Sequence, residues 1–195
     1  MASPVIENIV EAYLDNDDNA DITNPIHSTE VAKSYGFAGP LVGGVTVWGW
    51  ATDTILEALG EDWLDNGWAE YSFRQPTFPG DRLSVRASQG EETGSASWKV
   101  EMINQDDEVC VVGRVGSGMS DWSSELIRPA SMRPIDEVHT KGPLILENAE
   151  AGKDWAAMSL ELSHEALWEF ITNKQRTDVP LFTGENPVAH PSWIA

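Results

Sequence analysis

Asp21 and His27 are of types that could do acid–base chemistry together, with Asn24 to shape their loop and Gly44 to offer a backbone N–H. A carboxylate and an imidazole on one loop can hold a water molecule and pass a proton to and from it. Asn24, set before Pro25, reads as the turn former that presents His27. Gly44 ends the run Gly39-Pro40-Leu41-Val42-Gly43-Gly44, a glycine-rich turn that opens a helix. Free N–H groups and the positive end of the helix dipole coincide there. Such donors suit an oxygen that gains negative charge during a reaction, and glycine lets that oxygen approach the backbone closely.

The surrounding pattern says what must hold these groups. Val5 to Leu14 has Ile6, Ile9, Val10, Tyr13 and Leu14 at helical spacing and predicts a short amphipathic helix. A second brief helix is expected over Glu30 to Tyr35, capped by Ser28 or Thr29 and stopped by Gly36. From about Val45 to Leu59 a longer helix is apolar on nearly every face, so other structure should wrap it. Strand-like runs follow at Ala69–Arg74, Arg82–Ser88, Ser95–Ile103 and Glu108–Val115, the last two joined across Asn104-Gln105-Asp106-Asp107. An enclosed helix followed by antiparallel strands describes an α+β domain with a sheet curled round its helix.

Met119 to Gly152 is rich in proline and glycine and weak in periodicity, as a linker or covering segment would be. Beyond it Met158–Leu162 reads as a strand, and Ser163 caps a helix from His164 to about Asn173. The last twenty residues weakly echo the opening: Val179-Pro180-Leu181-Phe182 follows Asn24-Pro25-Ile26-His27, and Pro187-Val188-Ala189-His190-Pro191 follows Pro40-Leu41-Val42-Gly43-Gly44.

Composition narrows the class of function. The 195 residues carry 12 basic and 32 acidic side chains, a formal charge of −20. Nucleic acid and anionic membrane surfaces should be repelled, and neither is expected as a partner. An anionic ligand would have to meet a local cluster of basic groups. Cys110 is alone, flanked by valines in a strand pattern, and reads as a small buried hydrophobe in a reducing, cytoplasmic setting. Phosphate loops, nucleophile elbows and metal-ligand spacings are lacking in the sequence, so neither cofactor nor metal is expected. His139 and His164 sit without partners and are given no role; His190 falls, through the weak echo, at the position of Gly43, but Pro191 after it removes the N–H that an oxyanion site would use.

Asn24-Pro25-Ile26-His27, Ala32, Gly36-Phe37, Gly39-Pro40-Leu41-Val42 and Gly44 together resemble the signature of the MaoC-like (R)-specific enoyl-CoA hydratases. Phe73, Pro76, Pro79-Gly80-Asp81 and Leu83 look like that family's strand after the central helix. The resemblance spans residues 20 to 118 and implies a hotdog fold. On this reading a MaoC-like hotdog domain occupies 1–120 and a linker or covering segment 121–152. A partial second hotdog or C-terminal extension occupies 153–195. It also implies hydration of a trans-2-enoyl-CoA, or dehydration of an (R)-3-hydroxyacyl thioester, with His27, Asn24 and Gly44 in the site.

Two positions depart from the family pattern. Ile22 stands where the family carries its acid, five residues before the histidine, and leaves Asp21 as the neighbouring carboxylate. Gly43 replaces the histidine that usually precedes the oxyanion glycine. Two other readings therefore stay open: an accessory hotdog protomer without its own catalysis, and a hotdog acyl-CoA thioesterase. The resemblance implies an acyl-CoA or acyl-carrier thioester as ligand, and a homodimer or hotdog hetero-oligomer.

Overall fold

The computed structural model describes residues 4–14, 25–89, 97–125 and 162–193. Five strands form one antiparallel sheet: β1 Val5–Glu11, β2 Gly67–Phe73, β3 Arg82–Gln89, β4 Trp98–Ile103 and β5 Val109–Ser117. Their order is β1-β3-β4-β5-β2, so β1 and β2 are the edges. Helical elements α1 Thr29–Ser34, α2 Gly44–Gly49, α3 Thr52–Leu59 and the single turn α4 Trp63–Asn66 lie between β1 and β2.

The sheet curls because its inner face must cover a helix that is apolar on most sides. Leu83, Val85 and Ala87 of β3, Val100 and Met102 of β4, and Val111 and Val115 of β5 alternate inward. They meet Val47, Trp50, Ala51 and Ile55, and the whole set forms one buried cluster. Each Val, Leu, Ile or Met among them contributes roughly 1.5–3 kcal/mol on full burial, so this layer is a main source of the domain's stability. A bulge in β5 follows from the register: Met102 pairs with Val111 and Ile103 with Val109, which leaves Cys110 as the extra residue. Cys110 and Val111 are consequently both buried, and burial pushes the thiol pKa up. A five-stranded antiparallel sheet in this order, closed round one helix, is a hotdog.

The expected long helix is present but pinched. Trp50 and Ala51 keep helical dihedrals, yet the Ala51 N–H bonds back only three residues, to the carbonyl of Trp48 at 3.0 Å. Gly60, at φ 82°, ends α3 as only glycine readily does.

The expected helix over Val5 to Leu14 is corrected to strand β1, which pairs antiparallel with β3 from Val5–Ser88 to Glu11–Arg82. Its exposure alternates residue by residue. The inward row is Ile6, Asn8 and Val10, and the polar middle member hides the two-residue period in the sequence. Asn8 is accommodated because its Nδ2 donates to Thr54 Oγ1 at 3.1 Å on α3. The turn Pro79-Gly80-Asp81 locks the end of this strand. Gly80 N–H donates to the Ala12 carbonyl at 2.7 Å and Ala12 N–H to the Asp81 carbonyl at 2.8 Å. The Asp81 carboxylate in turn accepts from Phe78 N–H at 2.7 Å.

The chain divides into two compact units, Met1–Ser120 with Ser163–Ala195, and Asp121–Leu162. Within the second, Ser123–Glu125 make a single 3-10 turn. The regular elements among the described residues from 163 onward are all helical. Helix α5 His164–Phe170 is capped by Ser163, whose Oγ accepts from Ala166 N–H at 3.1 Å as the sequence predicts. It runs into a π-helical turn, Ile171–Gln175, and is followed by α6 Pro180–Thr183 and a 3-10 turn, Pro191–Trp193. Of the strand expected at Met158–Leu162, all but Leu162 lies outside the described residues. Residues 163–193 supply the wrapping that the all-round apolar helix calls for. Gly49 of α2 is covered so closely that a Cβ there would fall 2.7 Å from both Gln175 Nε2 and Ser192 Oγ.

Candidate functional site

His27 closes a 3-10 turn, Pro25–His27, and Ser28 then caps α1 through its Oγ, 3.4 Å from Val31 N–H. Two bonds stitch this loop to the segment that leads into α2. Leu41 N–H donates to the Ile26 carbonyl at 3.3 Å, and His27 Nδ1 lies 2.6 Å from the Leu41 carbonyl. A carbonyl only accepts, so Nδ1 carries the ring proton and Nε2 of the neutral imidazole keeps its lone pair. That is the tautomer a general base needs.

Nε2 lies beside Gly43. A Cβ on that glycine would stand 3.7 Å from His27 Cε1 and 3.8 Å from Nε2. The absent side chain leaves a cavity of about 120 Å³, bounded by Tyr13, Leu14, His27, Val42, Gly43, Thr46 and Lys174. Gly43 is also the N-cap of α2, so the first-turn N–H groups of the helix begin at this wall.

Of the four expected site residues, His27 lines this cavity. Gly44 is at the first position of α2 as expected, but its α-carbon faces Phe73, whose Cζ would be 3.2 Å from a Cβ there. Gly44 is not among the cavity's described lining residues. Asp21 and Asn24 lie outside the described residues, and so does Ile22. The described lining of the cavity contains no carboxylate. Lys174 is the residue that sequence reasoning missed. It is far from His27 along the chain, in a helix whose pattern announces only a buried face, and no motif marks it.

The Lys174 segment is anchored on both sides. The Arg176 guanidinium carbon stacks 3.4 Å from the centre of the Tyr13 ring. Thr177 Oγ1–H donates to Asp53 Oδ2 at 2.8 Å. Burial raises the Asp53 pKa, and nearby Asp178 adds to the rise against that hydrogen bond. His190, expected to have no role, is buried against Phe182 with ring centroids 4.8 Å apart. Its Nδ1 accepts from Ser192 N–H at 3.3 Å and lies 2.8 Å from Ser192 Oγ. Burial pushes its pKa down to about 4.

A larger cavity of about 480 Å³, which also has Tyr13 in its lining, is bounded by β1, the helix pinch and residues 175–178. Its charged lining is mixed, with Glu11, Asp53 and Asp178 beside Arg176, and it holds none of the expected site residues. Among the described residues no group of His, Cys, Asp and Glu could hold a metal ion. No described helix is long and apolar enough to cross a membrane.

No family model and no curated protein sequence matches the chain. Solved structures do resemble it. An R-hydratase from Pseudomonas aeruginosa in the unliganded form aligns at 16% identity and a TM-score of 0.46, over 62% of this chain and 83% of that one. An (R)-hydratase from A. caviae involved in PHA biosynthesis aligns at 17% identity and 0.43, over 61% and 97%. A MaoC-like dehydratase from Phytophthora capsici aligns at 20% identity and 0.48, over 58% and 42%. Identities this low assign no chemistry, and the strand order already given carries the fold.

Proposed function

We propose that the chain is a hydratase or dehydratase acting on acyl thioesters, with His27 as its general base. The observation that carries this reading is the bond from His27 Nδ1–H to the Leu41 carbonyl, which in the neutral ring puts the lone pair on Nε2, beside Gly43 and the cavity. In the hydration direction Nε2 takes a proton from a bound water as its oxygen bonds to the β-carbon. The double-bond electrons shift to give an enolate of the thioester, and the imidazolium then returns a proton to the α-carbon. Asp21 would hold the water, Asn24 would shape the loop, and the Gly44 N–H would donate to the thioester oxygen.

The substrate in this reading is a trans-2-enoyl-CoA or the corresponding (R)-3-hydroxyacyl thioester, on CoA or a carrier protein. The assembly is a homodimer or a pairing with a second hotdog subunit. Strand β2 is an edge that pairs only with β5 among the described residues, and its Phe73 is half exposed. Joining that edge to another sheet would protect it from aggregation.

A second reading, an accessory protomer serving a partner that holds the full acid–base pair, is favoured by the lack of a carboxylate among the cavity's described lining residues. Hydration of crotonyl-CoA and longer enoyl-CoAs by the purified chain, with His27→Ala and Asp21→Asn beside it, separates the two. Turnover lost in both variants supports the enzyme. An inert chain that co-purifies with another hotdog subunit supports the accessory role, and steady release of free CoA supports a thioesterase.

A further inference from the structure

We propose that Lys174 is the substrate-facing cation of the His27 site, placed to hold the thioester oxygen as it becomes an enolate. The inference rests on the acyl-thioester reading of that site and adds a residue to it. Three observations carry it. Lys174 is the one lysine or arginine among the described residues of the cavity. It lies in the π-turn, an element that adds a residue to one turn of a helix and recurs at functional sites. That turn buries Ile171 and Gln175 and leaves half-buried Lys174 at the cavity wall beside Tyr13 and Thr46.

The segment is also held in place rather than draped. Gln175 packs on Gly49, Arg176 stacks on Tyr13, and Thr177 bonds to Asp53, so the three residues after Lys174 each have a fixed neighbour. A charge held in position before the reaction stabilises developing negative charge without reorganising, and does so most in a partly desolvated cavity. A chain of charge −20 repels an anionic ligand over most of its surface, so a lysine inside the reacting cavity meets a need set by composition.

The chemistry it assists balances without a covalent bond to lysine. The hydroxyl of water bonds to C3, its proton goes to His27 Nε2, and the C2–C3 π electrons become the C1–C2 double bond of the enolate. The negative charge resides on the thioester oxygen opposite the Lys174 ammonium until C2 takes the proton back.

Two measurements on the full chain test this. Crotonyl-CoA hydration by Lys174→Met should fall by about 10²–10³-fold in kcat with a smaller change in KM, and Lys174→Arg should recover part of it. Acetoacetyl-CoA, which enolises on binding, should show an enolate absorption band with the unmutated chain and with Lys174→Arg but not with Lys174→Met. Thermal melts establish that each variant is folded. A folded Lys174→Met that hydrates crotonyl-CoA and forms the enolate as the parent does overturns the proposal and leaves the hydratase reading standing. A Lys174-dependent enolate band with no hydration supports the cation and sinks the hydratase reading. Neither activity in the parent chain overturns both.

Discussion

The α-carbon of Gly43 faces the imidazole of His27, with 3.7 Å between an added methyl group and Cε1. The distance is ordinary van der Waals contact, and Gly43 has φ −61° and ψ 135°, which any residue adopts. Glycine is therefore not required here by the backbone. What it provides is the space beside Nε2.

Filling that space is the first prediction. Gly43→Ala should fold with an unchanged melting temperature, and Gly43→Leu should fold with the cavity blocked. Acyl-CoA binding, followed by calorimetry, should weaken in the order of side-chain size. Equal affinities across the series would show that ligands do not enter beside His27.

The hydrogen bond of His27 and the proton transfer proposed for it can be separated by substitution. Asparagine offers an N–H that can replace the Nδ1–H donor to Leu41 but has no equivalent of Nε2. Both His27→Asn and His27→Ala should lose roughly 10²–10⁴-fold in turnover, as removal of a general base does. Only His27→Ala should also lose about 0.5–1.5 kcal/mol of stability, because it strips the Leu41 carbonyl of its donor. Denaturant melts beside the rate assay check this, and activity retained by His27→Asn would remove His27 from the chemistry.

The docking of residues 163–193 has its own weak point. Gln175 and Ser192 are buried, so neither can move aside for a methyl group on Gly49. Gly49→Ala should cost about 1–3 kcal/mol through overpacking. It should also expose the segment after Ser163 to limited proteolysis before the sheet is cut. A variant as stable and as resistant as the parent would mean that the contact between α2 and this segment is loose.

His190 gives stability a defined dependence on pH. Its pKa is about 4 in the folded chain and about 6.5 when unfolded, so unfolding below the latter binds an extra proton. The neutral buried ring contributes fully above pH about 6.5, and that contribution is lost as pH falls toward 4, up to roughly 3 kcal/mol in all. Unfolding free energies of the parent and His190→Gln should therefore converge over this interval as pH is lowered. Parallel curves would show that another group sets the acid sensitivity.

The sheet and its helix were legible because they rest on short-range patterns. Leu83, Val85 and Ala87 alternate cleanly, and the helix from Gly44 to Leu59 announces by its apolar faces that something must cover it. Strand β1 was misread because Asn8 interrupts the inward row, and the Thr54 side chain that satisfies it is remote in sequence. His27 was legible through its neighbours in the loop. Its tautomer was not, since that depends on which carbonyl the turn places against Nδ1. Lys174 was illegible for a related reason: a long-range contact leaves no period in the chain.

That same contact has a consequence for synthesis. The curled sheet is complete once Ser117 has left the ribosome, whereas the wall that Lys174 gives to the His27 cavity must await a much later part of the chain. A nascent or prematurely terminated product could be folded and still lack part of the wall beside His27. On the proposed reading, such a chain would keep His27 idle until the residues around Lys174 have been made and docked.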